Sequence, residues 1–550
     1  MDDAVTAVAA ATAGTAPTAA RAGSLVGSRP LLHATIRHDG RMFAPWVVVA
    51  TLLSVSSVTA YPRVFPDPES RHAFAATVGA NPALGLIFGP AYDLSTPEGF
   101  NSWRTLALGG FLVALGAIGA VVRASRAQED SGQAELLASG VLGRGARLLA
   151  GVALALVGSL AAGLVAGVAT GACGGDWGPS LLLGATYTAT GWMFAGVAAV
   201  SAQVGSDART ASSLAVGTLG TLFLLRGLST SLDAPAWTTW VNPLGWPLAT
   251  RPATGDHWAP LLLAVAFTAV AVGVAFALQS RRDFGQGIVA QRPGPARGSV
   301  RSPWRLAVRV NRRPVITWGI AFVVLGVVFG YFTTSIRDLL AGEPAVQQIL
   351  AAGAASPDEL TGAFVRTVLS LVGIIACVPG VQVLLRVRAE EQEDRVEPVL
   401  AGAVARPRYY GSHVALALLL VTGLVLLAGT VVSLLAGGAD IGVTTGDVLL
   451  QAAATVPAVW TVVALAVALV GARPAASLAA WAGVLVSFLL TMLGPTLRLD
   501  DWALGVSPFW HVPAVMGGDP DWTGLGWLAL VAGALVAVGF AGFRRRDIAR

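Results

Sequence analysis

The chain contains no lysine: all 36 of its basic residues are arginine. A P-loop that binds ATP, a Schiff base and an amine general base each require a lysine side chain. The chain therefore cannot bind ATP through a P-loop of its own. Charged residues make up only 12% of the 550 residues, about half the share typical of soluble domains, which excludes a soluble globular protein and a disordered one.

Cysteine and histidine are also scarce. Cys173 and Cys377 lie in different halves of the chain, which argues against a disulfide framework, and two thiols alone do not make a metal site. The six histidines are scattered along the sequence, whereas an enzyme would need them clustered with carboxylates. We therefore expect no catalytic residue, no metal site and no cofactor bound by this chain.

Apolar residues dominate what is present, at 55% of the chain with a mean hydropathy of +0.68. A membrane-spanning helix takes about 20 mostly apolar residues. The sequence contains twelve such stretches, which predict an all-α polytopic membrane protein, since water does not tolerate helices that are apolar on every side. The predicted spans are residues 44–60, 104–122, 148–170, 179–203, 208–227, 258–279, 315–335, 364–385, 411–436, 448–472, 475–496 and 524–543.

The charged residues predict how the chain lies in the membrane. The first arginine is Arg21, so the N-terminus lacks the basic start of a signal peptide, and we interpret residues 1–28 as a disordered cytoplasmic tail. With an even number of spans, both termini and every second connecting segment lie on the same side of the membrane. Arginine is concentrated in these segments, so the positive-inside rule predicts that this side is the cytoplasm. The sequence thus predicts a multi-pass protein of the bacterial plasma membrane (inner membrane) with both termini cytoplasmic.

An internal repeat divides the chain. Residues 126–156 match residues 388–418 at a shift of 262, and the Arg-Arg-Asp sequence at 281–283 matches that at 545–547 at a shift of 264. Earlier in each half the shift is 272. Because each copy holds six predicted spans, an even number, both copies would face the same way as parallel repeats. The predicted organisation is a first six-helix unit at 29–284, a cytoplasmic linker at 285–300 and a second six-helix unit at 301–550.

Each unit begins with an amphipathic segment just before its first span. Its polar face carries Arg29 and Arg37 in the first copy and Arg301, Arg305 and Arg309 in the second. Such a helix is expected to lie along the inner membrane surface with its arginines at the lipid headgroups. A cytosolic linker helix is the alternative.

The loops between the second and third spans of each unit carry most of the acidic residues on the predicted cytoplasmic side. They run Arg-Ala-Gln-Glu-Asp-Ser-Gly-Gln-Ala-Glu-Leu-Leu from Arg126 and Arg-Ala-Glu-Glu-Gln-Glu-Asp-Arg-Val-Glu-Pro-Val from Arg388. Acidic residues contribute little to membrane topology. Their presence therefore favours recognition by a cytoplasmic partner, and solvated loop charges are the alternative.

This pattern resembles the type-2 ABC exporter permeases. An amphipathic elbow helix before the first span, and after the second a stretch like the Gly-Gln-Ala-Glu-Leu-Leu at 132–137, are typical of that family. The tandem arrangement of two such units in one chain is similar to the fused twelve-helix permeases of actinobacteria, of the polyketide-antibiotic (tetronasin) or multidrug exporter type. The second copy departs from the pattern, since Gly132-Gln133 becomes Asp394-Arg395 and Leu136 becomes Pro398.

The resemblance implies a mechanism and a set of partners. Two copies of a separate ATPase subunit, which bind ATP and Mg²⁺, would dock below the two units at short coupling helices near 131–143 and 393–405. Closure of the ATPases would rock the units and open a path for a hydrophobic small molecule; membrane lipid is the other expected partner, and no nucleic acid is expected. The predicted docking residues are Glu129, Asp130, Glu135, Arg144, Arg147, Glu391, Glu393, Glu397, Arg406 and Arg408.

In the resembled family the first, second and fifth helices of each unit line the interface between the units, where the substrate path is expected. Here those spans contain no acidic residue deep in the membrane, which favours apolar or amphiphilic cargo. The candidate wall residues are Phe111, Phe223, Trp318 and Phe488, with packing against lipid as the alternative. Arg226 is expected to extend from the end of its span to the membrane interface.

Two other functions are alternatives to this hypothesis. A proton-coupled secondary drug transporter of the major-facilitator type also has two parallel six-helix halves. It would normally carry a Gly/Asp/Arg-rich loop after its second helix and charged residues within its spans, and neither is evident. A membrane enzyme would need a cluster of His, Asp or Glu at one level of the membrane.

Overall fold

The computed structural model describes residues 25–79, 82–132, 143, 145–232, 234–282, 287–289, 302–334, 357–402, 404–437, 443–493, 500–516 and 520–547. Over these residues the protein is all-helical. Twelve helices are long and apolar enough to cross a membrane, one for each predicted span. The predicted all-α polytopic fold with twelve transmembrane helices is therefore confirmed.

The chain divides into two compact units, residues 1–294 and 295–550. The division falls inside the predicted linker 285–300, of which only residues 287–289 are among those described. The predicted tail also lies mostly outside them: residues 25–27 form a turn and a helix begins at Ser28. In each unit, the first span begins and the sixth span ends on the same side, which is called the terminal side of that unit.

Over its described residues, the first unit contains a surface helix, six long helices and four short ones. In chain order they are α1 (Ser28–Asp39), α2 (Ala44–Val64), α3 (Pro68–Gly79), α4 (Pro82–Phe88), α5 (Pro97–Val122), α6 (Ala146–Ala172), α7 (Trp177–Val204), α8 (Ala208–Ser231), α9 (Trp237–Val241), α10 (Gly245–Ala249) and α11 (Pro260–Arg281).

Among its described residues, the second unit also contains six long helices and has fewer short ones. Its helices are α12 (Pro303–Thr334), α13 (Pro357–Gln392), α14 (Glu397–Leu400), α15 (Arg406–Ala436), α16 (Thr445–Ala472), α17 (Ala480–Leu493), α18 (Asp501–Leu504) and α19 (Thr523–Arg545). A 3₁₀ segment, Pro474–Ala479, leads into α17.

Several spans begin earlier than their apolar stretches because capping residues set the start. Thr96 accepts a hydrogen bond from the Gly99 N–H and Pro97 occupies the first turn, so α5 begins about two turns before the predicted 104. At α16, Thr444 and Asp447 form a reciprocal capping box. The length of an apolar stretch cannot locate such helix starts, because the first turns of these helices contain polar side chains.

The amphipathic segment differs between the units. In the first unit α1 is separated from the first span by a 3₁₀ turn, Gly40–Phe43, whereas in the second unit α12 runs unbroken from the elbow into the span. At the shift of 272, Arg312 takes the place of Gly40. A glycine weakens a helix by about 1 kcal/mol relative to good helix formers such as arginine, so the second unit lacks the weak point at which the first one bends.

Small residues and hydroxyl groups hold the core of the first unit together. Helices α6 and α7 cross so closely that a methyl group on Gly163 would lie 2.1 Å from the Gly184 carbonyl oxygen. The amide of Asn101 and the hydroxyl of Thr170 donate to the Ser54 hydroxyl at 3.0 and 2.8 Å, which joins α2, α5 and α6. Such close backbone approach and interhelical hydrogen bonds are typical of membrane helix packing.

Candidate functional site

The second span of the first unit ends at a buried carboxylate. Helix α5 widens into a π-helical turn over Arg123–Ala127 and continues to Asp130. The Glu129 side chain is only 4% exposed; its oxygens lie 2.7 Å from Arg126 Nη1, 2.7 Å from Arg282 Nη2 and 3.5 Å from Arg147 Nη2. A carboxylate out of contact with water needs such partners. Glu129 and these three arginines are called the Glu129 cluster.

The Glu129 cluster joins the terminal-side ends of four helices. Arg282 directly follows α11, Arg147 lies in the first turn of α6, and Arg126 donates to the Ser206 carbonyl just after α7. Arg282 Nε also donates to the Gln203 side chain at 2.6 Å. The loop that leaves α5 is therefore anchored to the ends of α6, α7 and α11.

Two carboxylates meet the start of α8. Asp207 caps the helix by accepting from the Thr210 N–H at 2.8 Å, and Asp130 accepts from the Ala208 N–H at 2.6 Å. Burial alone would raise the pKa of Asp207, but hydrogen bonds from Thr210 and Ser206 and the nearby Arg209 charge hold that pKa below its ordinary value. Asp130 thus connects the loop after α5 directly to the fifth span.

The second unit carries a similar arrangement at the end of α13. The Glu391 side chain is 2% exposed and lies 3.2 Å from Arg388 Nη1 and 2.5 Å from Arg546 Nη2. Arg546 Nε donates to the Gly471 carbonyl at 3.0 Å, and Arg406 donates to the Arg546 carbonyl at 2.9 Å. Glu391, Arg388, Arg406 and Arg546 are called the Glu391 cluster, which joins the ends of α13, α15, α16 and α19.

The two clusters use residues that the sequence repeat aligns. Glu129 and Glu391 correspond at the shift of 262, and Arg282 and Arg546 at the shift of 264. The chain also turns at aligned positions just beyond each carboxylate. Gly132 has φ +75° and Asp394 has φ +55°, both in the left-handed region. Aspartate tolerates that region better than most residues, so the change from Gly132 to Asp394 preserves the turn.

The structure separates the predicted docking residues into buried and exposed groups. Glu129, Arg147 and Glu391 are buried in ion pairs within their own unit, so they are not at a surface that a partner could contact. Arg406 is half-buried against Arg546, and Asp130 is partly exposed but bonded to α8. The exposed members are Glu393, Glu397 and Arg408, while Glu135 and Arg144 lie outside the described residues.

The predicted coupling helices are only partly described. Residues 133–142, most of the first one, lie outside the described residues. In the second loop the helix is a single turn, α14, which is much shorter than the predicted 393–405. Pro398 lies in its first turn, where a proline is tolerated, and the chain resumes a helix only at Arg406.

The arginines of the elbow segments are exposed where they are described. Arg29 and Arg37 project from α1, and Arg305 and Arg309 from the first part of α12. Arg301 lies outside the described residues. Their exposure fits contact with lipid headgroups or with water equally well.

Two of the four candidate wall residues lie together. The rings of Phe111 and Phe223 meet edge to face with centroids 5.0 Å apart, and both line a small cavity with Arg226. Trp318 instead donates from its indole to the Gln382 side chain at 3.1 Å, joining α12 to α13. Phe488 projects from α17 and is 41% exposed. The expectation for Arg226 was wrong: its side chain is buried, because α4 and α10 cover it.

Carboxylates are confined to the ends of the spans. Apart from Asp39 in α1, the described Asp and Glu residues of the twelve membrane helices lie in a first or last turn. No group of three or more His, Cys, Asp or Glu that could hold a metal ion occurs among the described residues.

Comparison with known proteins identifies the family. The family described as "Multidrug efflux system permease Rv1217c, C-terminal domain" matches residues 71–278 and 300–544. The chain is also 36% identical over 549 residues to the multidrug efflux system permease protein Rv1217c of Mycobacterium tuberculosis (strain ATCC 25618 / H37Rv), with 96% of each chain covered. With the twelve membrane helices and a match over nearly its full length, the chain belongs to the multidrug efflux system permease family represented by Rv1217c.

Proposed function

We propose that the chain is the membrane-spanning subunit of an ATP-driven exporter of hydrophobic or amphiphilic, drug-like compounds. Two copies of a separate ATPase subunit would bind ATP and Mg²⁺ and dock on the cytoplasmic side of a bacterial plasma membrane, where both termini lie. The name of the Rv1217c relative supports drug export by a permease. The absence of lysine supports the division of labour, because ATP must then be bound by a partner.

The observation that carries the proposed coupling is the contact of Asp130 with α8. The loop after α5 is bonded through Asp130 to the start of the fifth span and through Glu129 to the end of the sixth. A partner that displaces this loop would therefore move the ends of α8 and α11 with it. In the second unit, Glu391 and Arg546 provide the corresponding connection between α13 and α19.

The exposed and the buried charged residues of the loops after α5 and α13 have different roles in this proposal. Glu393, Glu397 and Arg408 are exposed and are the described residues that a docked ATPase would contact. Glu129 and Glu391 act behind them as positioning residues, because a bidentate or shared ion pair between planar groups resists rotation. Rocking of each unit in response to the ATPase would then expose the cargo path alternately to the two sides of the membrane.

The charge distribution argues against proton coupling by the described residues. A proton-driven antiporter carries an ionisable carboxylate or histidine within its spans, where it exchanges protons with the cargo site. The described carboxylates lie at helix ends, and Glu129 and Glu391 are held by arginines. His413 is a buried histidine about two turns after the start of α15, where its ring contacts the Tyr409 carbonyl at 3.2 Å rather than a carboxylate. The energy for export is therefore assigned to ATP.

Transport into inverted membrane vesicles tests the energy source. We expect uptake of at least one of a cationic, a neutral and an anionic fluorescent amphiphile to require ATP and to persist after a protonophore collapses the proton gradient. Purification of the tagged chain from its native membranes should bring down a subunit with a Walker A motif. Uptake that stops with the protonophore and ignores ATP would favour the major-facilitator mechanism instead.

Charge reversal tests the docking surface. The double variant Glu135→Arg and Glu397→Arg should abolish ATP-driven uptake while the thermal unfolding temperature stays at the wild-type value. Asp500→Arg is a matched control, since Asp500 is exposed, makes no side-chain capping bond and lies between the last two spans, away from the loops. Unchanged ATP-driven uptake in the double variant would contradict the assignment.

A further inference from the structure

An open groove runs along α7 between α6 and α11 in the first unit. Its volume is about 370 Å³, which lies at the lower end of the roughly 300–1,000 Å³ of ligand sites. Small residues that are buried or half-buried form its floor, and larger apolar residues that are exposed form its rims. The floor includes Gly163, Gly184 and Ala185, and the rims include Leu160, Leu181 and Val265.

Two helix contacts set the shape of the groove. Helices α6 and α7 meet backbone to backbone, since a methyl group on Gly163 would lie 2.1 Å from the Gly184 carbonyl oxygen. No side chain therefore fills the space over this crossing. Helices α7 and α11 meet closer to the terminal side, where a methyl group on Gly196 would lie 2.8 Å from the Ala271 Cβ atom. The groove begins beyond this second contact, because its lining residues on both helices lie farther from the terminal side.

The length of the groove corresponds to one leaflet of a bilayer. Its lining residues on α7 extend from Leu181 to Trp192, which at 1.5 Å per residue is about 16 Å. This is close to half of the hydrocarbon core, which is about 30 Å thick. Trp258, just before α11, lines the mouth and is exposed, as is Trp177 at the start of α7. Since tryptophan favours the membrane interface, the groove runs from the interface opposite the terminal side to near the middle of the bilayer.

The walls of the groove suit a hydrocarbon. The Thr188 hydroxyl donates to the Gly184 carbonyl at 3.2 Å, and the Trp192 indole donates to the Leu156 carbonyl at 2.9 Å. Apart from the Trp258 indole at the mouth, the other described side chains that line the groove are apolar. Water or a charged group placed against such walls would lose hydrogen bonds, whereas an alkyl chain would lose none.

The second unit has different residues at the aligned positions. The buried positions of α6 recur in α15 at the shift of 262, which confirms the alignment of these two helices. At that shift, Val425 takes the place of Gly163 and Thr422 that of Leu160, and the Trp460 indole donates to the Thr422 hydroxyl at 2.9 Å. A branched side chain thus stands where the first unit has the floor of its groove, so we expect the groove to be a property of the first unit.

We propose that this groove binds one fatty acyl chain of a membrane phospholipid from the leaflet opposite the terminal side. The length of the groove fits one chain in one leaflet, and its mouth lies at the level of the lipid headgroups. Lipid tails are as apolar as these walls, so burial from water does not favour the site over the bulk bilayer. The chain is instead retained by van der Waals contacts with three helices. The proposal depends neither on ATP coupling nor on the cargo.

Photolabelling with a phospholipid tests the site. The purified full chain is reconstituted in phosphatidylcholine nanodiscs that contain a phosphatidylcholine with a diazirine near the middle of one chain, and the adducts are mapped by peptide mass spectrometry. The reference is the exposed apolar face of α19 over residues 527–538, which lie as far from the start of their helix as residues 181–192 do from the start of α7. We expect about fivefold more adducts over 181–192, which corresponds to a preference of about 1 kcal/mol. Equal labelling of the two segments would overturn the proposal.

Variants that fill the groove separate it from ordinary lipid contact. Ala185→Phe places a ring over the half-buried floor and should lower the labelling of 181–192 to the level of the reference face. Val265→Phe narrows the groove from an exposed rim and should lower the labelling even if Ala185→Phe fails to fold. Ala453→Phe makes the same change at an exposed alanine of α16, the fourth span of the second unit, and should leave the labelling unchanged. Wild-type labelling in a folded groove variant would overturn the proposal.

A competition arm distinguishes a lipid from cargo. An excess of the fluorescent amphiphiles used for vesicle uptake should leave the labelling of 181–192 unchanged. Loss of this labelling in the presence of an amphiphile that the vesicles take up would identify cargo as the occupant and overturn the assignment to lipid. Because the nanodisc assay needs no ATPase, failure of the proposed ATP coupling would leave its result intact.

Discussion

Arg282 donates from both of its terminal nitrogens to both oxygens of Glu129, at 2.9 and 2.7 Å. The aligned pair in the second unit, Arg546 and Glu391, is joined through a single terminal nitrogen at 2.5 Å. A bidentate pair fixes the relative orientation of two groups, whereas a single bond leaves a rotation open. The loop after α5 is therefore held more rigidly to its sixth span than the loop after α13.

Replacement of Glu129 by Gln is predicted to destabilise the first unit strongly. Removing one partner of a buried ion pair costs about 3–5 kcal/mol, and here one carboxylate is removed from three buried arginines at once. Glu391→Gln should cost less, since Glu391 pairs with two arginines among the described residues. Thermal unfolding of the two variants in detergent gives the comparison.

The variant Arg282→Lys separates the contribution of the bidentate geometry from that of the positive charge. Lysine keeps the charge but cannot form the planar fork, so we expect an intermediate loss of stability. The neighbouring Arg281 is exposed, and Arg281→Lys should match the wild type. If Glu129→Gln unfolded at the wild-type temperature, the cluster would have no stabilising role.

Gly132→Ala is predicted to lower the free energy of unfolding by about 1–2 kcal/mol, because Gly132 has φ +75°, which alanine adopts only with strain. The added methyl group would meet no atom within 4 Å, so the backbone alone causes this loss. Asp394→Gly, at φ +55°, should instead leave stability unchanged or raise it slightly. Gly119→Ala is the control, because Gly119 lies in α5 with open space around it and an ordinary helical φ. Denaturant titration followed by tryptophan fluorescence measures all three. Equal effects at Gly132 and Gly119 would contradict a left-handed turn.

The membrane helices could be predicted from the sequence because each needs only a run of apolar residues. The ion pairs could not, since Glu129 and Arg282 are 153 positions apart in sequence and each resembles an ordinary solvated charge. The repeated Arg-Arg-Asp sequence at the end of each unit is visible in the sequence, but the positive-inside rule already accounts for arginines at that position, so the sequence gives no sign of the ion pairs. The sequence predicts an interfacial position for Arg226, because a single arginine near the end of a span gives no indication that α4 will cover it.

Removal of the Asp207 cap is predicted to produce a pH-dependent loss of stability. Asp207→Ala should cost about 1 kcal/mol at pH 7, since the carboxylate accepts from the N–H of Thr210 at the start of α8. The pKa of Asp207 is lower in the folded protein than its ordinary value, so its contribution is complete above that value. It is lost as the pH falls from about 4 through the folded pKa.

The measurement is thermal unfolding of the wild type and Asp207→Ala between pH 7 and pH 3. The difference between their unfolding temperatures should shrink at the acid end of this range. The unfolding temperature of Asp207→Asn should stay close to that of the wild type at pH 7, because asparagine is an equally good cap. Since asparagine does not titrate, this variant should lack the part of the acid destabilisation that comes from protonation of Asp207. A difference that is constant over the whole range would exclude the carboxylate as its source.

Gly163→Ala is predicted to disrupt the first unit by forcing α6 and α7 apart. The added methyl group would lie 2.1 Å from the Gly184 carbonyl oxygen and 2.2 Å from the Thr188 hydroxyl, and a backbone carbonyl cannot move without shifting its helix. Overpacking of this kind costs about 1–3 kcal/mol. Gly220→Ala is a matched control on α8, where the methyl group meets nothing within 4 Å, and it should be neutral or stabilising by up to about 1 kcal/mol. Thermal unfolding in detergent distinguishes them: if Gly163→Ala were as stable as Gly220→Ala, the two helices would not cross at the Gly163–Gly184 contact.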